Sequence, residues 1–287
     1  MLDYMQDYEF GERVALVDGD ILVYRAASLS EELGAPQLSF DIVAGMMTRF
    51  ADTIGTTDLL VFLSSDFNVR RYFYPEYKAN RKGNKPKFFN EVMEYVKTFY
   101  ECCTVEGLEA DDAIVAAAYE NIDIWEKGVY IVSLDKDLRQ VPNTVFYNMV
   151  TGATEFITED IAYRNILLQC LTGDKVDNIS GLKGIGKKKA EKLIDGIVLN
   201  SLDDVYNELI KIYLKFNHTE ADVNAVYNCI VMQNDLDQFT YKGIPQSFTV
   251  EDVKQRRLDD YIYTGRLPNI PIDRSPQNEP TTPCDAG

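Results

Sequence analysis

Acidic residues close one apolar run after another along this chain. Val129 to Val132 leads into Ser133-Leu134-Asp135-Lys136-Asp137, and an extended backbone there sets Asp135 and Asp137 on one side. Arg13-Val14-Ala15-Leu16-Val17-Asp18-Gly19-Asp20 ends the same way, and Asp58-Leu59-Leu60-Val61-Phe62-Leu63 is soon followed by Asp66. Glu109, Asp111 and Asp112 gather at a helix start, where backbone N–H groups and the dipole tolerate negative charge. For that cluster alone a solvated helix start is an equally good account, and a single strand-end aspartate is more often a loop cap. Repetition of the pattern favours a shared site. Like charges about 4 Å apart repel by ~1 kcal/mol in water and by more at lower dielectric. A hard divalent cation reverses that sign, since Mg²⁺ takes carboxylate oxygens, waters and substrate phosphate.

The elements that must position these acids alternate between strand and helix. Ala110, Ala113, Ile114, Ala117 and Ala118 recur on one face of a 3.6-residue period, so a helix begins at Ala110. Helices are also expected over 21–28, 40–54 and 87–101. Short strands follow at 145–147 and 153–156, and Cys102-Cys103 reads as strand. Thr158 can cap a helix running to about Leu171, with Glu159 and Asp160 in its first turn. Helices over 202–216 and 221–232 complete the pattern. In an open parallel sheet, ligands collect beyond the carboxyl ends of the strands, which is where Asp18, Asp66 and Asp135 fall.

The 287 residues are 46% apolar, enough for one large domain or two linked ones. No apolar run approaches the ~20 residues that span a bilayer, and residues 1–10 lack the order of a signal peptide. Cys102, Cys103, Cys170, Cys229 and Cys284 show no metal-type spacing, as in a reduced cytosolic chain. His218 is the only histidine and sits in a polar turn, which argues against histidine-based catalysis. From Asp273 the composition turns polar and Pro-rich, so 273–287 reads as a disordered tail.

A net charge of −17 argues against a nucleic-acid partner, but its distribution does not. Residues 67–89 hold seven basic side chains, among them Arg70, Arg71, Lys78, Arg81 and Lys82, against one acid, a net of +6. Residues 183–192 hold five lysines against one acid, a net of +4. Such islands suit selected phosphate contacts, and the aromatics interleaved in the first, Tyr77 among them, suit stacking on bases. In the second, Lys183, Gly184, Gly186, Lys187, Lys188 and Lys189 form a glycine-rich turn at a helix start, a place for a phosphate.

In this order the motifs resemble the phage 5′–3′ exonuclease and flap endonuclease family, over roughly residues 13–236. The likeness rests on Val-Asp-Gly-Asp at 17–20, Asp66, Tyr-Lys-Ala-Asn-Arg-Lys at 77–82 and Glu-Ala-Asp-Asp at 109–112. Asp-Lys-Asp at 135–137, Gly-Asp-Lys-Val-Asp-Asn-Ile at 173–179 and Gly-Ile-Gly-Lys-Lys-Lys-Ala at 184–190 complete it. The resemblance implies an α/β, PIN-like nuclease domain over 1–157, with a central mostly parallel sheet, flanking helices and a basic arch at 67–89. A helical region follows over 158–272, with a helix–three-turn–helix at about 173–196. It implies that Asp18, Asp66, Glu109 and Asp111 surround a first Mg²⁺, and Asp112, Asp135, Asp137, Asp174 and Asp177 a second. Mn²⁺ is expected to substitute, and K⁺ to bind at the helix–three-turn–helix. Lys78 and Arg81 match residues that reach the scissile phosphate. Asp20 stands where many relatives carry a neutral residue.

The activity implied is 5′–3′ exonuclease or flap endonuclease action on duplex DNA with a 5′ end or flap, or on an RNA–DNA hybrid. The expected setting is the cytoplasm of an infected host, without membrane contact. A PIN-type ribonuclease, an RNase H-like enzyme and a non-catalytic structure-specific DNA-binding protein remain as alternatives.

Overall fold

The computed structural model describes residues 12–35, 37–81, 83–123, 127–234 and 241–243. Strand β1 (Arg13–Asp18) lies inside a sheet of six, in the order β3-β2-β1-β4-β5-β6. Its neighbours are β2 (Leu59–Phe62) and β4 (Gly128–Ser133), both parallel to it. Beyond them lie β3 (Cys102–Cys103), β5 (Thr144–Asn148) and the antiparallel edge strand β6 (Thr154–Ile157). The chain builds outward from β1 through β2 and β3, then returns to lay β4 on β1's other side. That reversal puts the switch point between β1 and β4, where an open sheet collects its ligand.

Both faces of β1 are covered, which is why it reads as an unbroken apolar run. Ala15 and Val17 pack against helices α1 (Gly19–Glu32), α2 (Leu38–Ile54) and α4 (Phe89–Phe99). Val14 and Leu16 face α5 (Ala110–Asp123) on the opposite side. A third core joins Tyr77 to the helices α6 (Glu159–Thr172), α7 (Lys187–Leu193), α8 (Leu202–Lys215) and α9 (Glu220–Ile230). Thr158, Ser201 and Thr219 cap three of these helices through their side chains, each worth about 1 kcal/mol.

The described residues on either side of 157/158 fall in one compact unit, and Ala162 on α6 packs in the same core as Val14 and Leu16. Gln140 donates to the Ile230 carbonyl at 2.9 Å, so the strand region and α9 are directly tied. A short helix α3 (Arg70–Phe73), not expected from the sequence, opens the segment read as an arch. Between α6 and α7 the chain forms a two-stranded ribbon, β7 (Gly173–Asp174) and β8 (Ile179–Ser180), then a glycine turn. Gly173 (φ 71°) lies so close to the backbone of Ile179 to Gly181 that any side chain there would collide with it. Among the described residues no helix is long and apolar enough to cross a membrane. The tail expected at 273–287 and Lys82 lie outside the described residues.

Candidate active site

Strand ends and one helix start bring the acids to the switch point. Asp18, the last residue of β1, caps α1 by accepting from the Ile21 amide at 3.0 Å. Its other oxygen accepts from the Ser133 hydroxyl, at the end of β4, at 2.6 Å. Burial pushes its pKa up to about 7 against those two hydrogen bonds, and Asp20 and Asp135 push it further in the same direction. Burial likewise raises Asp111, in the first turn of α5, with Asp18 and Asp135 adding to the effect.

After β4 the backbone does not stay extended. Residues Lys136–Leu138 form a single 3-10 turn, and Asp135 caps it by accepting from the Asp137 amide at 2.9 Å. The period-two reading of Asp135 and Asp137 is thereby corrected, since the capping bond is available only in a turn. Asp137 is raised to about 6 by burial, then by Asp135, with Asp174 adding. Gln169 on α6 hydrogen-bonds Asp137 and also donates to Asp174 at 3.3 Å.

A second layer of acids is already neutralised. Arg70, 2% exposed, grips Asp112, 0% exposed, through two bonds at 2.5 and 2.6 Å. Asp112 also accepts from the Gln233 amide at 2.8 Å. Glu109 takes the Lys78 ammonium, the Tyr77 hydroxyl at 2.6 Å and Arg70 at 3.4 Å. Burial would raise Glu109, but Lys78, then Arg70, outweigh it and hold its pKa at about 2. Asp177 pairs with Arg81 and stands 3.6 Å from Lys78. Asn80 and Asn178 tie the 76–81 and 175–178 segments together through bonds to Lys175 and Glu76 carbonyls, at 2.9 and 2.8 Å.

Glu109, Asp111, Asp135, Asp137, Asp174 and Asp177 line one small cavity of about 20 Å³, room for about one water-sized occupant. A larger cavity of about 360 Å³, bordered by Tyr119, Tyr163 and Tyr227, contains none of the acids singled out in the sequence. Size therefore does not locate the chemistry here. Among the described residues, no three histidine, cysteine, aspartate or glutamate side chains already surround a single point as a bound metal requires. The donor chemistry nonetheless fits a hard divalent ion. Asp18, Asp111 and Asp137 are hard oxygen donors held up by burial and mutual repulsion, which a cation would relieve.

The geometry separates the residues expected at the site. Asp112 is committed to Arg70 and the Gln233 amide as a buried counter-ion. Arg70 and Tyr77 (3% exposed) point into the fold and offer DNA neither charge nor ring face. Their burial has a faint sequence signal, since Arg70, Tyr74 and Tyr77 share a helical spacing. Asp66 is exposed on the loop after β2 and does not line the cavity. Arg71 is half-buried on α3; Lys183, Gly184, Gly186, Lys187, Lys188 and Lys189 are exposed or half-exposed on the glycine turn and the start of α7. Ser64, Ser133 and Gln169, which hold the acids in place, carry no motif that a sequence reading could use.

The raised acids give a stability prediction. Unfolded Asp18 titrates near 3.8 and folded Asp18 near 7, so the folded chain binds the extra proton and loses stability as pH rises between those values. In metal-free protein, Asp18→Asn should gain about 2 kcal/mol at pH 8 and little at pH 4, measured by urea unfolding. An equal effect at both pH values would remove the account in which burial, with Asp20 and Asp135 adding, raises Asp18.

Residues 13–165, more than half of the chain, match the family model for the 5'-3' exonuclease N-terminal resolvase-like domain. The chain belongs to the 5′-3′ exonuclease family. Within that family it is 29% identical to the exodeoxyribonuclease of Enterobacteria phage T3, over 71% of this chain and 76% of that protein. It is 30% identical to the exonuclease of Escherichia phage T7, over 65% of this chain and 70% of the relative. A flap endonuclease of bacteriophage T5, crystallised with DNA and metal ions, superposes with a TM-score of 0.57 at 20% identity. That match covers 79% of this chain and 96% of the other, and at such identity it speaks for the fold.

Proposed function

We propose that this 5′-3′ exonuclease family member hydrolyses DNA phosphodiester bonds from a 5′ end or at a 5′ flap, with Mg²⁺ as cofactor and Mn²⁺ as its substitute. The observation that carries this reading is the set Asp18, Asp111, Asp135 and Asp137, repelling one another at the switch point beside Lys78 and Arg81. When bound, a pair of divalent ions supplies a polarised water and stabilises the attacking and leaving oxygens of an in-line displacement.

The chain's own groups divide the remaining work. Asp111, Asp135, Asp137 and Asp174 hold cations, and Gln169 and Ser133 fix the orientation of their neighbours. Lys78 and Arg81 rest on Glu109 and Asp177, which parks positive charge next to the cavity. A scissile phosphate draws those cations toward its developing charge. Arg81 is half-exposed on Asp177, whereas Lys78 is mostly buried and held by Glu109.

The lysines of 183–189 supply the duplex contact. Lys188→Ala with Lys189→Ala should weaken duplex binding and reduce the slope of affinity against salt by about 2, one for each phosphate left without its lysine. Gel-shift titrations across salt concentrations measure it, and an unaltered slope counts against the seat. The function itself is tested by incubating 5′-labelled flap, blunt duplex, RNA and hybrid substrates with Mg²⁺ or chelator. Cleavage of DNA in Mg²⁺ alone is expected. Cleavage confined to RNA strands would favour the ribonuclease reading instead.

A further inference from the structure

Two segments meet beside the acid cavity without sharing a sheet or a helix. One is the turn 175–178, which joins β7 to β8 and carries Asp177. The other is 76–81, which carries Lys78 and Arg81. Each holds a residue in the left-handed region, Asn178 at φ 59° and Lys78 at φ 55°. Side chains rarely adopt that conformation, and it persists where the surroundings fix it. Here each segment fixes the other. The Lys78 amide donates to the Asp177 carbonyl at 2.9 Å. The Asn178 side-chain amide donates to the Glu76 carbonyl at 2.8 Å, so the two bonds bracket the Lys78 backbone. Asn80 adds a third tie, donating to the Lys175 carbonyl at 2.9 Å.

The turn itself does not require asparagine at 178, since glycine takes a left-handed φ without steric cost. What asparagine adds is the bond to Glu76. The turn also has its own internal hold, because Asp174 accepts from the Val176 amide at 2.7 Å and the Asp177 amide at 3.3 Å. Losing the Asn178 amide therefore loosens 76–81 and leaves the acids of the turn in place. From the bracketed backbone the Lys78 ammonium reaches Glu109 and stands 3.6 Å from Asp177, two acids that line the cavity.

We propose that Asn178 is a positioning residue for Lys78, its side-chain amide fixing the backbone from which that ammonium meets the scissile phosphate. The assignment rests on the nuclease reading and deepens it. A role in cation holding or in DNA binding would move different constants, which makes the roles separable.

The test is single-turnover cleavage of a 5′-flap DNA by the full chain, at graded DNA and graded Mg²⁺, for wild type, Asn178→Gly, Asn178→Asp and Asn80→Ala. Asn178→Gly keeps the left-handed backbone and removes the donor, while Asn178→Asp keeps the shape and offers only acceptors. Both are expected to lower the maximal rate by about tenfold to a hundredfold, the scale of a slightly misplaced reacting group. The DNA and the Mg²⁺ needed for half-maximal rate stay within about twofold of wild type, because only an interaction made in the transition state is lost. Asn80→Ala shows the same signature at about threefold, and it decides the matter should both Asn178 variants fail to fold. An unchanged maximal rate overturns the assignment. So does a loss that appears in the DNA requirement or the Mg²⁺ requirement instead, which would place Asn178 at the DNA seat or the acids. Wild-type protein that leaves DNA uncut sinks the nuclease reading, whereas active wild type with equally active Asn178 variants sinks only the role of Asn178.

Discussion

Replacing Asp135 and Asp137 together with asparagine lowers single-turnover DNA cleavage in Mg²⁺ by about 10³-fold or more, the scale on which lost transition-state electrostatics registers. Duplex affinity measured in chelator stays within about threefold of wild type, because removing negative charge cannot weaken attraction to phosphates. The substitution is mild for the fold. Asparagine at 135 keeps the oxygen that caps the turn by accepting from the 137 amide, at 2.9 Å in the parent. At 137 it removes a carboxyl that burial and Asp135 already push up to about 6. Loss of activity without loss of stability or binding therefore identifies cation holding as the missing step. Unchanged turnover in the double variant would end the assignment of both residues.

Arg70→Ala destabilises the protein by about 3–5 kcal/mol, since it strands the Asp112 carboxylate at 0% exposure without its partner. Glu109 loses a counter-charge at the same stroke, and the third core loses the cation that lies 5.9 Å over the Tyr77 ring. Chemical denaturation reads the loss directly. The double variant Arg70→Met with Asp112→Leu should recover most of it, because an apolar pair of similar volume leaves no buried charge. The sequence placed Arg70 among the phosphate contacts of a basic island, a role in which its loss would flatten the salt dependence and spare stability. A stable Arg70→Ala protein with weakened DNA binding would restore that view.

That reversal shows where a one-dimensional reading runs out. Strands β1 and β4 were plain in the sequence because a strand covered on both faces must be apolar at every position. Their terminal acids were legible for the same reason, standing out where the apolar run stops. Arg70 and Asp112 are 42 residues apart, and a buried pair of that separation leaves no local trace. In a basic stretch, the arginine that turns inward has the same composition as its exposed neighbours. The Asp-x-Asp after β4 fits an extended chain and a capped turn equally well, and the hydrogen bond to the Asp137 amide selects the turn.

Anomalous diffraction from crystals of the DNA-free protein soaked in Mn²⁺ tests the central claim most directly. The account predicts density for a pair of ions enclosed by Asp18, Asp111, Asp135, Asp137 and Asp174, with those carboxylates drawn toward the ions. Crystals saturated with Mn²⁺ that show no anomalous peak beyond the ends of β1 and β4 would contradict it.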